Sequence, residues 1–110
     1  MSLKIVSLTS FSKDVKRLCK KYKQIANDLK ALKNELDKNP KAGITLGSNC
    51  YKIRIPNSSV PTGKSGGFRV IYYFIDEDET IYLMAIYSKS EVETISDEKI
   101  IAILKENGLQ

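Results

Sequence analysis

The run Phe68-Arg69-Val70-Ile71-Tyr72-Tyr73-Phe74-Ile75 is apolar at every position but one. Side chains of a strand point alternately to opposite faces, so a stretch apolar on both faces marks a central strand of a sheet. Its neighbours follow from the turns. Upstream, Tyr51–Ile55 alternates apolar and cationic residues and stops at Pro56. Downstream, Asp76-Glu77-Asp78-Glu79-Thr80 is a hairpin turn leading into a third strand, Ile81–Tyr87, followed by Ser88-Lys89-Ser90. The second half of the chain therefore predicts a three-strand antiparallel meander.

The first half has a different period. Leu3–Thr9 alternates as a short strand. Ser12 is the expected N-cap of a helix, with Asp14 in its first turn, where the helix end favours negative charge. Apolar residues then fall at Val15, Leu18, Tyr22, Ile25, Leu29, Leu32 and Leu36, spaced alternately by three and four. That is a helical stripe. It fits one long helix or a hairpin of two, with a turn at Lys20-Lys21-Tyr22-Lys23. It also fits a coiled-coil seam, but packing on the sheet is the preferred reading for a stripe this short. The helical run stops at Asn39-Pro40, because proline disfavours helix in the residue before it, and Gly43 and Gly47 continue a loop. Near the C-terminus, Ser96 caps a short helix with Asp97 and Glu98 in its first turn and Gly108 beyond its end. The expectation is a single α+β domain over residues 1–110.

Charge is distributed unevenly. The net charge is +5, but residues 1–41 carry +7, residues 42–75 carry +4 with no acid at all, and residues 76–110 carry −6. A basic balance of this kind suggests an anionic partner. The two cysteines, Cys19 and Cys50, are expected to be reduced core or near-core residues rather than a disulfide or a metal pair. No charged-then-apolar leader and no apolar run of membrane length is present, so the expected compartment is the cytoplasm, without membrane contact.

Two motifs invite rejection. Pro61-Thr62-Gly63-Lys64-Ser65 resembles part of a phosphate-binding P-loop, but the required glycine five positions before Gly63 is Ser58, and strands rather than a helix follow. No nucleotide cofactor is expected. The acids Asp76–Glu79 form a solvated turn, and with no histidine in the chain no metal site or other cofactor is expected.

The cations carry more. In a meander the end of the first strand lies beside the start of the second, which lies beside the end of the third. Connectivity alone gathers Lys52, Arg54, Arg69 and Lys89 at one end of the sheet. Lys52 and Arg54 share a face, being two positions apart. Whether Arg69 and Lys89 share that face is not legible from parity. Lys64 in the Pro61–Gly67 loop adds to the same end. Arg69 is the least ordinary of the group, since an arginine in an apolar strand needs a partner or a purpose.

Tyr51-Lys52-Ile53-Arg54-Ile55, then Gly63-Lys64-Ser65-Gly66-Gly67-Phe68-Arg69-Val70-Ile71-Tyr72, then Ile86-Tyr87-Ser88-Lys89, resembles the RelE/HigB toxins of bacterial type II toxin–antitoxin modules. The resemblance spans nearly the whole chain and looks closest to the HigB/RelE-like branch of the RelE/ParE superfamily. It implies a RelE-like fold: an N-terminal strand and helical hairpin packed on an antiparallel sheet, with a short C-terminal helix. It also implies a metal-independent endoribonuclease that cuts mRNA on the ribosome. The implied partners are a cognate antitoxin, the ribosome and mRNA. The implied catalytic set is Lys52, Arg54, Arg69 and Lys89; the chemistry of cleavage without metal or histidine then suggests Lys52 as base, Arg54 and Arg69 on the phosphate, and Lys89 as a further phosphate contact or the acid. Lys64 and Tyr87, from their places at the same end of the sheet, are the expected RNA contacts. RelE has a tyrosine six residues beyond the last cation, where this chain has Ile95; Tyr87 is the candidate substitute. Two alternatives stand beside this reading. One is a ParE-like gyrase inhibitor of the same fold, a branch lacking the cation set. The other is a non-catalytic RNA-binding or protein-docking domain.

Overall fold

The computed structural model describes residues 3–61, 67–92 and 94–110. In chain order the elements are β1 (Lys4–Ser7), α1 (Thr9–Cys19), α2 (Ile25–Lys38), β2 (Ile44–Gly47), β3 (Cys50–Ile55), β4 (Phe68–Ile75), a 3-10 turn (Asp76–Asp78), β5 (Thr80–Ser88) and α3 (Asp97–Glu106). They build one five-stranded sheet in the order β1-β5-β4-β3-β2. β3, β4 and β5 form the antiparallel meander, with β4 in the middle. β1 adds to β5 in parallel, and the α1–α2 hairpin carries the chain from β1 to β2 at the opposite edge of the sheet.

β4 shows why its sequence is apolar throughout. Phe68, Val70, Tyr72 and Phe74 enter a core shared with Phe11, Leu18, Ile25, Leu32 and Leu36 of the helical hairpin. Ile71 and Tyr73 enter a second core shared with Ile100, Ile103 and Leu104 of α3. Each face of the sheet is thus covered by a different helical layer. Burying the large apolar side chains of these two cores contributes about 1.5–3 kcal/mol each before entropy is counted.

The helical stripe is a hairpin. Leu18, Tyr22, Ile25, Leu32 and Leu36 are buried within the chain, with Val15 and Leu29 packed beside them, so the stripe is a core face rather than a dimer seam. The break falls at residues 20–24, where the Lys21 and Tyr22 N–H groups both donate to the Leu18 carbonyl and the Ile25 N–H donates to that of Tyr22.

Three expectations need correction. α1 starts at Thr9 behind Leu8, which gives no side-chain cap, so Ser12 is not the cap and Asp14 is not in the first turn. The Asp14 carboxylate instead accepts from the Ile86 N–H of β5, 3.1 Å away, beyond the last residue of β5 that pairs with β1. The segment around Gly43 and Gly47, expected as loop, contains the edge strand β2. Its turn into β3 uses three consecutive positive φ values, at Gly47, Ser48 and Asn49. Cys19 is exposed, on the solvent side of α1, while Cys50 is buried as expected; burial pushes the Cys50 thiol up to about 11. The three-strand meander is antiparallel as expected, and β1, added in parallel to β5, makes the whole sheet mixed. Ser96 does cap α3, accepting from the Lys99 N–H.

Candidate active site

Register decides which cations meet. Arg54 stands opposite Arg69 across β3 and β4, and Arg69 stands opposite Tyr87 across β4 and β5. Directly paired residues share a face, so Arg54, Arg69 and Tyr87 form one row across three strands. The next row is Lys52, Ile71 and Ala85. Ile71, Ala85 and Tyr87 belong to the α3-side core, so both rows lie on the α3 face. The face assignment that strand parity left open is settled for Arg69, which joins Lys52 and Arg54.

Their environments differ. Arg54 is exposed and Lys52 half-buried. Arg69 is only 5% exposed, and its Nη1 donates to the Gly67 carbonyl at 3.1 Å. Tyr87 is buried to a similar degree, and its hydroxyl has no hydrogen-bond partner among the described residues. Two arginines directly opposite each other repel. Among the described residues no carboxylate pairs with Lys52, Arg54, Arg69 or Lys89. A row of donors with this charge suits a phosphate, which guanidinium groups bind through parallel N–H donors.

Lys89 lies beyond the end of β5, exposed at the rim rather than in the row. Its N–H points to the Gly67 carbonyl at 3.5 Å, so it closes the same end of the sheet as the Arg69 contact. The turn carrying it is held by a network that the sequence did not suggest. Glu91 accepts from the Ser88 N–H at 3.2 Å and from Arg17 Nη2 at 2.9 Å, and Arg17 Nη1 reaches Asp14 at 2.7 Å. Partial burial works to raise the Glu91 carboxyl, but the hydrogen bonds from Arg17 and the Ser88 N–H outweigh it and hold Glu91 below the ordinary carboxylate range. The same two carboxylates raise the Arg17 guanidinium above its ordinary value. Lys64 lies outside the described residues.

Beside Tyr87 opens a groove of about 510 Å³, lined in part by Arg17, Tyr87, Ile95 and Lys99. Ile95, at the position where the RelE pattern has tyrosine, packs against the α3-side core with Tyr87. A second groove of about 610 Å³, on the β2 side, includes Lys52 and Arg54 in its lining. Among the described residues no group of three or more histidine, cysteine, aspartate or glutamate side chains is placed to hold a metal ion. No helix among them is long and apolar enough to cross a membrane.

The chain thus presents a mixed sheet between a helical hairpin and a short C-terminal helix, with a row of cations at one end. The sequence model of the ParE toxin of type II toxin–antitoxin systems, parDE, matches residues 6–93. The chain belongs to that toxin family. Among solved structures it is similar to a double arginine-to-alanine mutant of the E. coli toxin RelE in the free state, with 20% identity over 96% of this chain and 98% of that one and a TM-score of 0.61. It is similar to a chain of the intact E. coli RelBE toxin–antitoxin complex, with 22% identity, 77% and 94% coverage and a TM-score of 0.58. It is also similar to the RelE mutant in complex with an antitoxin RelB peptide, with 18% identity, 100% and 97% coverage and a TM-score of 0.59. At these identities the likeness establishes the fold.

Proposed function

We propose that this toxin is a ribosome-dependent mRNA endoribonuclease acting in the cytoplasm, and that the row Arg54–Arg69–Tyr87 with the adjacent Lys52 is its active site. The register that aligns these side chains across β3, β4 and β5 is the observation that carries the reading. RNA cleavage without a metal uses the substrate's own 2′-hydroxyl. Its oxygen attacks the adjacent phosphorus, the bond to the 5′-oxygen breaks, and a 2′,3′-cyclic phosphate remains. The 2′-hydroxyl gives up its proton to a base, and the departing 5′-oxygen takes one up. Lys52 is the candidate base. Arg54 and Arg69 stabilise the charge that builds on the phosphate. Lys89, at the rim, is a phosphate contact or the acid. Tyr87 is the proposed RNA contact in the row, its buried hydroxyl having no partner among the described residues. Lys64 is proposed as an RNA contact from its place in the sequence alone. A site of cations without histidine is weak alone, and depends on the ribosome to position the scissile bond.

The proposed silencing partner is a cognate antitoxin, as in the RelBE and RelE–RelB peptide complexes. α3 reaches the sheet through Ile100, Ile103 and Leu104 alone among its buried residues. An antitoxin segment that replaced it would cover the same face as the cation row.

The match to the ParE family model favours a second reading, inhibition of DNA gyrase without cleavage. Expression of the chain in growing bacteria separates the two. The nuclease reading predicts new mRNA 5′ ends inside translated frames with plasmid supercoiling unchanged. Relaxed plasmid with intact mRNA would establish the gyrase reading instead.

A further inference from the structure

Five cations fall within eight residues at the end of α1 and the turn into α2: Lys16, Arg17, Lys20, Lys21 and Lys23, with no acid among them. The fold puts this turn against the cation row's end of the sheet. Tyr22, buried in the turn, meets the ring of Phe68 edge-on at 5.4 Å, and Phe68 precedes Arg69. The Tyr22 hydroxyl lies 3.4 Å from Ser90 Oγ, and Ser90 follows Lys89. Ser90 Oγ is in turn 3.0 Å from Ser88 Oγ. Between turn and strand end runs a groove of about 260 Å³ lined by Arg17, Lys21, Tyr22, Ser88, Ser90 and Glu91 among others, the Glu91 carboxylate being taken up by Arg17 and the Ser88 N–H.

The charges there are unequally neutralised. Arg17 is held by Asp14 and Glu91, and so is part of the scaffold. Lys20, Lys21 and Lys23 are exposed, and among the described residues none makes an ion pair. Lys21 Nζ sits 5.4 Å over the Tyr22 ring, which fixes one charge at the mouth of the groove. Arg69 lies on the α3 face, Lys89 at the rim and the lysine turn beyond the hairpin face, so positive charge continues round the end of the sheet. A compact anion would need only one of these places; a chain of phosphates fits all three.

We infer that the turn Lys20–Lys23 is a second RNA-backbone contact surface, sequence-independent and continuous with the active-site row. It holds the phosphates of the RNA strand flanking the cleavage site, while the hydroxyls of Ser88 and Ser90 line the path between. The inference rests on the RNA-directed reading above but not on cleavage.

The test is a salt series of fluorescence anisotropy titrations with a labelled single-stranded RNA. It compares the unaltered protein with a variant carrying Lys20→Gln, Lys21→Gln and Lys23→Gln. A control carries Lys30→Gln, Lys33→Gln and Lys38→Gln on exposed positions of α2, which remove the same charge elsewhere. Each phosphate contact on a single strand contributes about 0.7 to the slope of log affinity against log salt, so the turn variant is expected to lose about 2 from that slope. The control should keep it. Equal slopes for the turn variant and the unaltered protein would overturn the inference. So would equal losses in turn variant and control, which would show a net-charge effect. A parallel titration with poly-glutamate gives the remaining outcome: a turn effect on that peptide but not on RNA would assign the surface to an acidic protein instead. Binding that behaves as expected while mRNA stays uncut would count against the nuclease reading alone.

Discussion

Arg54 and Arg69 face each other directly across β3 and β4, on the same side of the sheet as Tyr87. Like charges placed directly opposite are destabilising on the order of 0.2–1 kcal/mol. A fold that keeps such a pair in its central strands loses stability that any neutral residue would restore.

Arg54→Gln removes the repulsion at the exposed member of the pair. The expected result is unchanged or slightly raised stability, by up to about 1 kcal/mol, with the gain shrinking as salt is added. RNA cleavage should fall in the same variant. Thermal unfolding at low and high salt, beside a cleavage assay, checks both halves; a clear loss of stability would show that Arg54 is a structural residue.

Tyr87→Phe deletes only a buried hydroxyl that has no partner among the described residues. Removing an unsatisfied buried polar group is neutral or stabilising, so urea unfolding should give a midpoint no lower than that of the unaltered protein. Cleavage should nevertheless drop, by about tenfold or more if the hydroxyl meets the reacting RNA. Full activity would return Tyr87 to the core.

The Arg17–Glu91 contact ties α1 to the turn bearing Lys89. Arg17→Ala should cost roughly 1 kcal/mol, because Glu91 loses its charged partner at a partly exposed site. Arg17→Ala and Glu91→Ala should be non-additive in a double-mutant cycle. The Glu91 carboxyl is depressed in the folded chain, so its contribution is present above the ordinary glutamate value of about 4.3 and is lost as pH falls through the lower folded value. Chemical unfolding across acid pH should therefore show a loss that Glu91→Gln abolishes.

Gly43→Ala brings a methyl group within 2.8 Å of the Lys52 carbonyl oxygen and 3.2 Å of the Tyr72 ring. The Gly43 N–H also donates to the Tyr72 hydroxyl at 3.0 Å, whose pKa burial pushes up to about 12. Backbone cannot yield as a side-chain tip does, so overpacking here should cost on the order of 1–3 kcal/mol. Urea unfolding measures it. Loss of cleavage beyond the loss of folded protein would show that β2 also sets the place of Lys52.

The contrast between what the chain revealed and what it hid follows from how far apart the partners lie. β4 was legible because both its faces are buried, and the hairpin because its stripe is local. The gathering of Arg54 and Arg69 followed from meander connectivity. β2 was hidden because all four of its residues are exposed at the sheet edge, leaving no alternation to read. The face of Tyr87 was obscured by the bulge in β5, where Ile71 pairs with Ala85 but Tyr72 pairs with Leu83, leaving Met84 extra. Asp14 has a first-turn look in sequence, yet its partner Ile86 is 72 positions away. The Arg17–Glu91 contact spans 74 positions, and no local pattern encodes it.

Cell-free translation with purified protein, reading mRNA 5′ ends by primer extension, tests the central claim most directly when run beside Arg69→Ala. The account predicts new ends within the translated frame, none on the same RNA without ribosomes, and none with the variant. Intact mRNA with the unaltered protein, or the same cuts with Arg69→Ala, would contradict it.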